Sequence, residues 1–545
     1  MKRWLRLLCL SVIASGGAAL CSGQRPAPNT PIQHVIIIVQ ENRTPGNLFF
    51  ADKSLISRGA HLAGSGSCHG TMVPLTPWQL DGCFDPNHGH NGGWLPEYDN
   101  GKMDGACDVA PGLRVGCGVP SCTNTSYAHC PQYTYVDNSS GILNPYFNLA
   151  DQYGFANYMF QTNQGPSFPS HQFLFSGTSA PSAYPNAFYK WFVEENQVLP
   201  VGDTDNHNGC ISDFNTTVTL VDPAGNTSRS FVPNDPPGAN PGFPCFQHRT
   251  LLDVLAIGGV SWRYYARDEG SLWTAPNTID RICKPSGFGP DGECEGDAFN
   301  DGHVVTNASQ VLTDLGVNGT DSSDCQLQGV SWVMPDGNWA DHPGTFGQDG
   351  GPSWVAAIVN AVGGFDNSGV KLPVQCNYWG STAIFVTWDD WGGFFDDVNP
   401  ITTMTPNKLG YPGGKGNGAN YVYGFRVPLL VISAYAKKGY VSGPRINPVC
   451  PNFYCHDFGS ILNFVEYAFG KNGNSLGTIG PPQWPYADFF VQDTSAAPNN
   501  YSLYDFFNFG QKRPFVPITT GKYATTCFFN ATSCFANFPA EADSE

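Results

Sequence analysis

The most constraining feature of the sequence is the segment HVIIIVQ at 34–40, which contains five consecutive β-branched residues. Such a run is typical of a parallel strand that is buried on both faces of its sheet. It ends abruptly at the polar residues Glu41 and Asn42 and at the turn-forming pair Pro45 and Gly46. The chain is therefore expected to cover both faces of at least one parallel sheet with other elements.

Further apolar segments alternate between strand-like and helix-like patterns. Strands are predicted at 260–266, 329–336, 383–390 and 426–435, and helices at 250–259, 352–364 (amphipathic) and 456–470. Residues 144–160 predict a helix followed by a short apolar strand, and residues 165–171 a loop that leads into another helix. This alternation predicts an α/β fold with a mostly parallel central sheet flanked by helices. Ligands of such sheets gather at the carboxyl ends of the strands.

Domain boundaries follow from composition. Residues 1–23 read as a signal peptide, with Lys2, Arg3 and Arg6 before a short apolar stretch. Residues 24–485 are expected to form one catalytic domain, with long disulfide-linked loop insertions near 60–140 and 203–245. Residues 486–545 predict a coil-rich extension packed on that domain. No later segment is long and apolar enough for stable membrane insertion, so we expect a secreted or periplasmic protein.

The cysteines support an oxidising compartment. Of 18 cysteines, Cys9 and Cys21 fall in the signal region, which leaves an even number for the exported chain. An even number is typical of disulfides, whose connectivity the sequence does not give. The alternative is a zinc site, but the sequence has no Cys-x-x-Cys pair.

The charge balance bears on the binding partner. The chain has 27 Lys and Arg against 45 Asp and Glu, a formal net charge of −18 at pH 7. A broadly acidic surface disfavours nonspecific binding to nucleic acid or anionic membranes. A phosphate-ester substrate, whether a phospholipid or a small phosphoester, must then be attracted locally by a metal ion or by positioned donors. The sequence leaves the oligomeric state open.

Reactive groups follow several of the predicted strands. They are Glu41 and Asn42, Ser167 and His171, Asp336 and His342, and Asp389 and Asp390. Oxygen ligands from Glu41, Asn42, Asp389 and Asp390 suit one divalent cation, with Ca, Mg or Mn favoured over zinc. A serine hydroxyl that touches this cation would lose its proton more easily and attack phosphorus. Backbone amides where the helix begins at Ser167 could bind phosphate oxygens, and the histidines could protonate the leaving group.

Each of these features also has a purely structural interpretation. Glu41 and Asn42 could only turn the chain, and Ser167 could be an ordinary turn serine. Asp389 and Asp390 could form a solvated turn before Gly392 and Gly393, and His342 could be a loop histidine. Only their common position just after buried strands favours a shared site.

At these same residues the chain resembles the bacterial phosphoesterase family that includes phosphatidylcholine-type phospholipases C and an acid phosphatase, within the alkaline-phosphatase superfamily. The matching stretches, in order, are HVIIIVQENRT (34–44), DPNHGH (85–90), GKMDG (101–105), GPSFPSHQFLFSGTS (165–179), PCFQHRTLLDVL (244–255), VSWVMPDGNWADHP (330–343), TAIFVTWDDWGGFFDDV (382–398), RVPLLVISAYAKKGYVS (426–442) and HDFGSILNFVEYAFG (456–470).

The resemblance implies an alkaline-phosphatase-like fold and a role for each residue. Ser167 would be the nucleophile and a metal ligand, together with Glu41, Asn42, Asp389 and Asp390. His342 and His88 would contact the phosphate or the leaving group, and His171 would lie nearby with a less defined role. The chain departs from the family at Thr44-Pro45-Gly46-Asn47 and at Trp391, where the family carries an acidic residue and histidines. Fewer imidazoles favour one oxygen-bound cation over two zinc ions.

The expected function is a secreted, metal-dependent phosphoesterase that acts through a phosphoserine and resembles phospholipase C. The alternatives are an acid phosphatase that acts on phosphomonoesters and a catalytically silent binding protein on the same fold.

Overall fold

A computed structural model describes most of the chain. The described residues are 27–82, 84–112, 130–181, 191–200, 207–221, 227–228, 242–344, 349–400, 423–443, 455–480, 486–489, 501–519 and 521–534. The predicted signal peptide at 1–23 lies outside these residues, as does about half of the predicted insertion at 203–245.

The β-strands of the described residues are short apart from two. They are β1 (His34–Gln40), β2 (Ser65–Cys68), β3 (Thr71–Pro74), β4 (Thr76–Trp78), β5 (Thr134–Val136), β6 (Gly154–Ala156), β7 (Met159–Phe160), β8 (Phe192–Val193), β9 (Leu220–Val221), β10 (Thr227–Ser228), β11 (Trp262–Tyr265), β12 (Val304–Val305), β13 (Val330–Val333), β14 (Thr382–Trp388), β15 (Leu429–Ser433), β16 (Tyr440–Ser442) and β17 (His456–Asp457).

The α-helices include several of a single turn. Those in the described residues are α1 (Pro45–Phe49), α2 (Lys53–Ser57), α3 (Leu95–Tyr98), α4 (Asn144–Gln152), α5 (Ser167–Ser176), α6 (Leu251–Gly258), α7 (Asp280–Cys283), α8 (Asp297–Asn300), α9 (Gln310–Asp314), α10 (Gly351–Val362) and α11 (Phe458–Ala468).

Eight strands form the central sheet, in the order β12-β11-β13-β1-β14-β15-β6-β16. Strand β1 pairs in parallel with β13 on one side and β14 on the other, with Ile37 opposite Trp332 and Phe385. The predicted mostly parallel sheet is therefore present. Strand β15 is the exception, since it runs antiparallel to both β14 and β6. The sequence did not indicate this reversal, because the direction of a buried apolar strand leaves no mark on its residue pattern.

Helices cover both faces of this sheet. Phe385 of β14 contacts Phe464 of α11, with ring centroids 5.1 Å apart, whereas Trp388 contacts Tyr146 of α4 at 5.2 Å. Residues an odd number of positions apart point to opposite faces of a strand. Helices α4 and α11 therefore lie on opposite sides of the sheet.

Helix α10 corrects one prediction. Its pattern indicated an amphipathic helix, but every residue from Gly351 to Val362 is buried. The C-terminal extension supplies part of this cover, since Phe528 packs on Trp354 with ring centroids 5.2 Å apart. The extension thus contributes core side chains to the domain, although its described residues form only 3-10 turns and coil.

Disulfides join several of the loops. Among the described residues the bridges are Cys68–Cys107, Cys210–Cys245, Cys283–Cys294, Cys325–Cys376 and Cys527–Cys534. The predicted disulfide linkage of the loops is therefore present. The described part of the chain has no helix that is long and apolar enough to cross a membrane.

Candidate active site

The end of β1 delivers Glu41 and Asn42 to the carboxyl edge of the sheet. Both side chains are fully buried. Asn42 has a φ of 56°, in the left-handed region that asparagine tolerates better than most residues. Gly392 lies against this turn with a φ of 67°, and a Cβ there would lie 2.4 Å from the Asn42 carbonyl oxygen. The glycine at position 392 thus allows the two strand ends to meet.

The end of the neighbouring strand β14 delivers Asp389 and Asp390. The backbone amide of Asn42 donates to Asp389 Oδ1 at 3.1 Å, and the amide of Gly392 donates to Asp390 Oδ1 at 2.7 Å. Because β1 and β14 are paired in parallel as far as Gln40 and Trp388, their following residues are held side by side. The two acidic segments therefore meet as the sequence predicted.

Ser167 reaches the same place from a different element. It is the first residue of α5, and its hydroxyl lies 3.2 Å from Glu41 Oε2 and 3.2 Å from Asp390 Oδ2. Ser167, Glu41, Asp389 and Asp390 are all 0% exposed. The fold thus brings a hydroxyl and three carboxylates together from distant parts of the chain.

His171 lies one helical turn after Ser167. Its Nε2 atom is 3.3 Å from Glu41 Oε1 and 3.8 Å from Asp389 Oδ2. In both carboxylates the other oxygen faces Asn42, and in Glu41 that oxygen also faces Ser167. Glu41, His171 and Asp389 also have the spacing of a possible metal-ligand group. The metal site predicted from the sequence had only oxygen ligands, so it did not include His171 Nε2.

His88 and His342 lie on the other side of Asn42. Their Nδ1 atoms contact backbone carbonyl oxygens, that of Pro86 at 2.8 Å for His88 and that of Pro343 at 2.7 Å for His342. Their Nε2 atoms both face the Asn42 side-chain amide, at 2.9 Å and 3.2 Å. The four predicted oxygen ligands, Ser167 and the three predicted histidines therefore lie within one connected cluster.

The Asn42 amide has two orientations that imply different site contents. With its nitrogen towards the carboxylates, Nδ2 donates to Glu41 Oε2 at 3.0 Å and to Asp389 Oδ1 at 3.1 Å, and Oδ1 accepts from both histidines. Two neutral histidines with Nδ1–H groups on the backbone carbonyls have no proton left on Nε2 to donate. In this orientation each histidine must therefore carry a proton on Nε2 in addition to the one on Nδ1. The orientation suits a site without a cation.

In the reverse orientation, Nδ2 lies 2.9 Å from His88 Nε2 and its two hydrogens match two imidazole acceptors. Asn42 Oδ1 then faces Glu41 Oε2 and Asp389 Oδ1. Oxygen atoms with no proton between them repel one another unless a cation lies among them. This orientation therefore suits a cation held by Glu41, Asn42 and Asp389, with Ser167 and Asp390 beside it.

The donor set fits a hard divalent cation, because carboxylate, amide and hydroxyl oxygens are the ligands such cations prefer. Three buried carboxylates also need compensating positive charge. The two arginines that are buried among the described residues bind elsewhere. Arg43 donates to the Asp341 carbonyl at 2.9 Å, and burial lowers its pKa to about 10. Arg426 forms an ion pair with Asp396.

The structure limits two expectations about this region. The first turn of α5 offers few amides for phosphate, because the Phe168 amide donates to Asn196 Oδ1 at 3.0 Å and Pro169 has no amide hydrogen. Asp336 is not at the site either. It accepts from the Asn338 amide and caps a 3-10 turn.

Three buried residues that support the site were not predicted from the sequence. Asp341 accepts from Tyr146 Oη at 2.7 Å and from Trp388 Nε1 at 3.1 Å, and burial raises its pKa to about 6. Glu97 accepts from Trp391 Nε1 at 2.8 Å, and burial raises its pKa well above the usual value. Gln161 contacts both Trp391 and Gly165. Only Asp341 carried a signal, as the acidic neighbour of His342.

Proteins of known family are similar in sequence to the part of the chain that carries most of this cluster. The family model described as the phosphoesterase family matches residues 139–471. A non-hemolytic phospholipase C of Pseudomonas aeruginosa is 23% identical over 265 residues, which is 46% of this chain and 34% of that protein. Phospholipase C A of Mycobacterium tuberculosis is 27% identical over 263 residues, 46% of this chain and 44% of that protein.

Phospholipase C B of the same organism is 29% identical over 249 residues, 42% of this chain and 41% of that protein. The chain thus matches less than half of the length of each of these relatives. The family match covers more than half of this chain, and it contains Ser167, His171, His342, Asp389 and Asp390. The chain therefore belongs to the phosphoesterase family.

Proposed function

We propose that this protein is a metal-dependent phosphoesterase that cleaves phosphate esters through a phosphoserine at Ser167. The observation that carries the proposal is the convergence of the Ser167 hydroxyl on Glu41 Oε2 and Asp390 Oδ2, each at 3.2 Å. The family membership supports the same conclusion. A divalent cation held by Glu41, Asn42, Ser167, Asp389 and Asp390 would favour loss of the hydroxyl proton and neutralise phosphoryl oxygens.

The residues of the chain account for the steps of the reaction. Ser167 Oγ attacks phosphorus, its proton passes to a neighbouring carboxylate, and the bond to the leaving alkoxide breaks. The leaving oxygen takes a proton from a nearby acid; His88 and His342 are the candidates once an Nε2 atom carries a proton in place of its hydrogen bond from Asn42. Water then attacks the phosphoserine, which releases the phosphate product and restores the Ser167 hydroxyl. His171 holds Glu41 in place from outside the oxygen cluster.

The oxygens inside the cluster favour Ca, Mg or Mn as the cation. The competing arrangement places the ion against His171 Nε2 with Glu41 and Asp389, and a nitrogen ligand would favour zinc. Titrating the metal-free protein with each ion and comparing restored turnover distinguishes the two arrangements.

The substrate we propose is a phosphodiester of the phospholipid type. We also propose that the arrangement of the sheet is alkaline-phosphatase-like. Three relatives of the chain are phospholipases C, and this supports a diester. Secretion or periplasmic localisation is proposed from the sequence pattern at 1–23 and is supported by the disulfides. An acid phosphatase that acts on monoesters is the second candidate.

The test measures release of p-nitrophenol from p-nitrophenyl phosphorylcholine and from p-nitrophenyl phosphate, with Mg, Ca or Mn and across pH. Wild type should hydrolyse the diester faster, and Ser167→Ala should lose about 10³-fold or more. Ser176→Ala is the matched control, because its hydroxyl is buried in the same helix and has no hydrogen-bond partner.

Acid quenching followed by mass spectrometry should find phosphate on Ser167. Faster hydrolysis of the monoester would make the acid phosphatase the better assignment. Equal silence of wild type and Ser167→Ala on both substrates would reject the enzyme and leave a binding protein.

A further inference from the structure

Gln161 links the two halves of the candidate site. Its side-chain Oε1 accepts from the Trp391 amide at 3.1 Å, immediately after Asp390. Its Nε2 donates to the carbonyl oxygens of Asn163 at 2.9 Å and Gly165 at 3.0 Å, in the loop that leads to Ser167. One amide group therefore joins the acidic turn to the nucleophile loop.

The surroundings fix this amide in place. Gln161 is 0% exposed, and its backbone is hydrogen-bonded to Gly424 and Phe425. A Cβ at Gly424 would lie 2.5 Å from Gln161 Cγ and 2.2 Å from the Asn163 carbonyl oxygen. The backbone of the segment before β15 thus passes directly over the Gln161 side chain and leaves it little freedom to move.

The nucleophile loop has further ties of the same kind. Asn163 Nδ2 also donates to the Gly165 carbonyl at 3.0 Å, and Ser170 Oγ donates to Asn163 Oδ1 at 3.0 Å. These bonds hold the loop to its own helix. Among the described residues that tie this loop, Gln161 is the one whose side chain also reaches the turn that carries Asp390.

We propose that Gln161 is a positioning residue that sets the distance between the Ser167 hydroxyl and the Asp390 carboxylate. The inference rests on the proposed function, in which this distance governs the activation of Ser167. Gln161 does not touch the reacting atoms. Its effect should therefore fall on the rate of the chemical step, since a displacement of about 1 Å can cost about 10²-fold in rate.

The variant Gln161→Met keeps the length of the side chain and removes all three hydrogen bonds. Its kcat should fall about 10²-fold while KM changes less than about threefold, because ground-state binding is not the target. The control is Gln132→Met, which removes another buried amide, one that donates to the Val109 carbonyl at 2.6 Å. Its kcat should stay near wild type even where both variants lose similar thermal stability.

A second measurement does not depend on turnover. In a Ser167→Cys background, Co²⁺ bound at the site should show a sulfur-to-cobalt charge-transfer absorption, because the introduced thiolate replaces the hydroxyl beside the ion. Adding Gln161→Met should weaken that band, and adding Gln132→Met should not.

The outcomes separate this inference from the proposed function. A wild-type protein without phosphoesterase activity contradicts the proposed function, whereas the cobalt band still reports the position of residue 167. A Gln161→Met variant with wild-type kcat and an unchanged cobalt band overturns the positioning role. Equal losses of kcat in Gln161→Met and Gln132→Met also overturn it, because they would show a general effect of losing a buried amide.

Discussion

The hydroxyl of Ser167 lies 3.2 Å from the Asp390 carboxylate, although 223 positions separate the two residues in the chain. Ser167 opens a helix outside the central sheet, and Asp390 follows a strand near its middle. This contact combines a nucleophile with a base and a charge that can bind a cation.

Replacing Asp390 by Asn should slow turnover strongly and weaken the binding of the divalent cation. The substitution keeps the shape but removes the charge next to Ser167, so we expect a loss of about 10²-fold or more in kcat. Dialysis of wild type against EDTA should have the same effect, reversed by Mg, Ca or Mn. Asp137→Asn, in an exposed turn where Asp137 accepts from Ser139, should behave as wild type. Full activity of the EDTA-treated protein would contradict a metal-dependent site.

The variant Asn42→Asp tests the role of the Asn42 amide. It adds a fourth carboxylate and removes the amide NH2 group, which lies either 2.9 Å from His88 Nε2 or against the Glu41 and Asp389 carboxylates. Because the carboxylates repel one another, its melting temperature without metal should be lower than that of wild type, and added Mg or Mn should close most of the difference. Asn377→Asp changes an exposed asparagine with a similar φ of 58° and should show no such metal dependence. Equal melting curves for Asn42→Asp with and without metal would argue against an ion at Asn42.

Gly392→Ala should disrupt the site through backbone crowding. The new Cβ would lie 2.4 Å from the Asn42 carbonyl oxygen, in addition to the cost of a φ of 67°. We expect a loss of about 3 kcal/mol or more in unfolding free energy, together with loss of activity. Gly369→Ala measures the cost of a positive φ without a clash. Gly369 has a φ of 74°, and no atom lies within 4 Å of the added Cβ. It should lose only about 1 kcal/mol. Similar losses in the two variants, measured by denaturant unfolding, would show that the clash is unimportant.

Glu466→Gln should stabilise the protein increasingly as the pH rises. Glu466 is fully buried, and its pKa is raised well above 4.5 by burial and then by the charge of Asp488 and a side-chain hydrogen bond with it. An acid with a raised folded-state pKa holds its proton longer in the folded than in the unfolded state. Folding stability therefore falls with pH between the two pKa values, by about 1.4 kcal/mol per pH unit for one proton.

The gain in folding stability from Glu466→Gln should be near zero at pH 4 and largest above the folded-state pKa of Glu466. Melting temperatures from pH 4 to 9 in EDTA provide the measurement, and Glu295→Gln at an exposed position serves as the control. A difference between wild type and Glu466→Gln that does not vary with pH would contradict the raised pKa.

Much of the architecture was predictable from local residue patterns. The five β-branched residues before Glu41 and the apolar run before Asp389 predicted β1 and β14. The apolar segment at 250–259 predicted α6. These features are encoded in a few adjacent residues, so they can be recognised without knowledge of the rest of the chain. The same reasoning placed Glu41, Asn42, Asp389 and Asp390 at strand ends, where the structure also has them.

Only the tertiary structure decided how these groups face one another. The direction of β15, the placement of Asp336 away from the site and the contacts of Gln161 depend on residues far apart in sequence. The same holds for the position of His171 on the outer oxygens of Glu41 and Asp389. The sequence determined which side chains stand at the ends of which elements. Packing of the sheet and helices determined the distances among them, because a distance of about 3 Å between groups more than a hundred residues apart is set by the whole core.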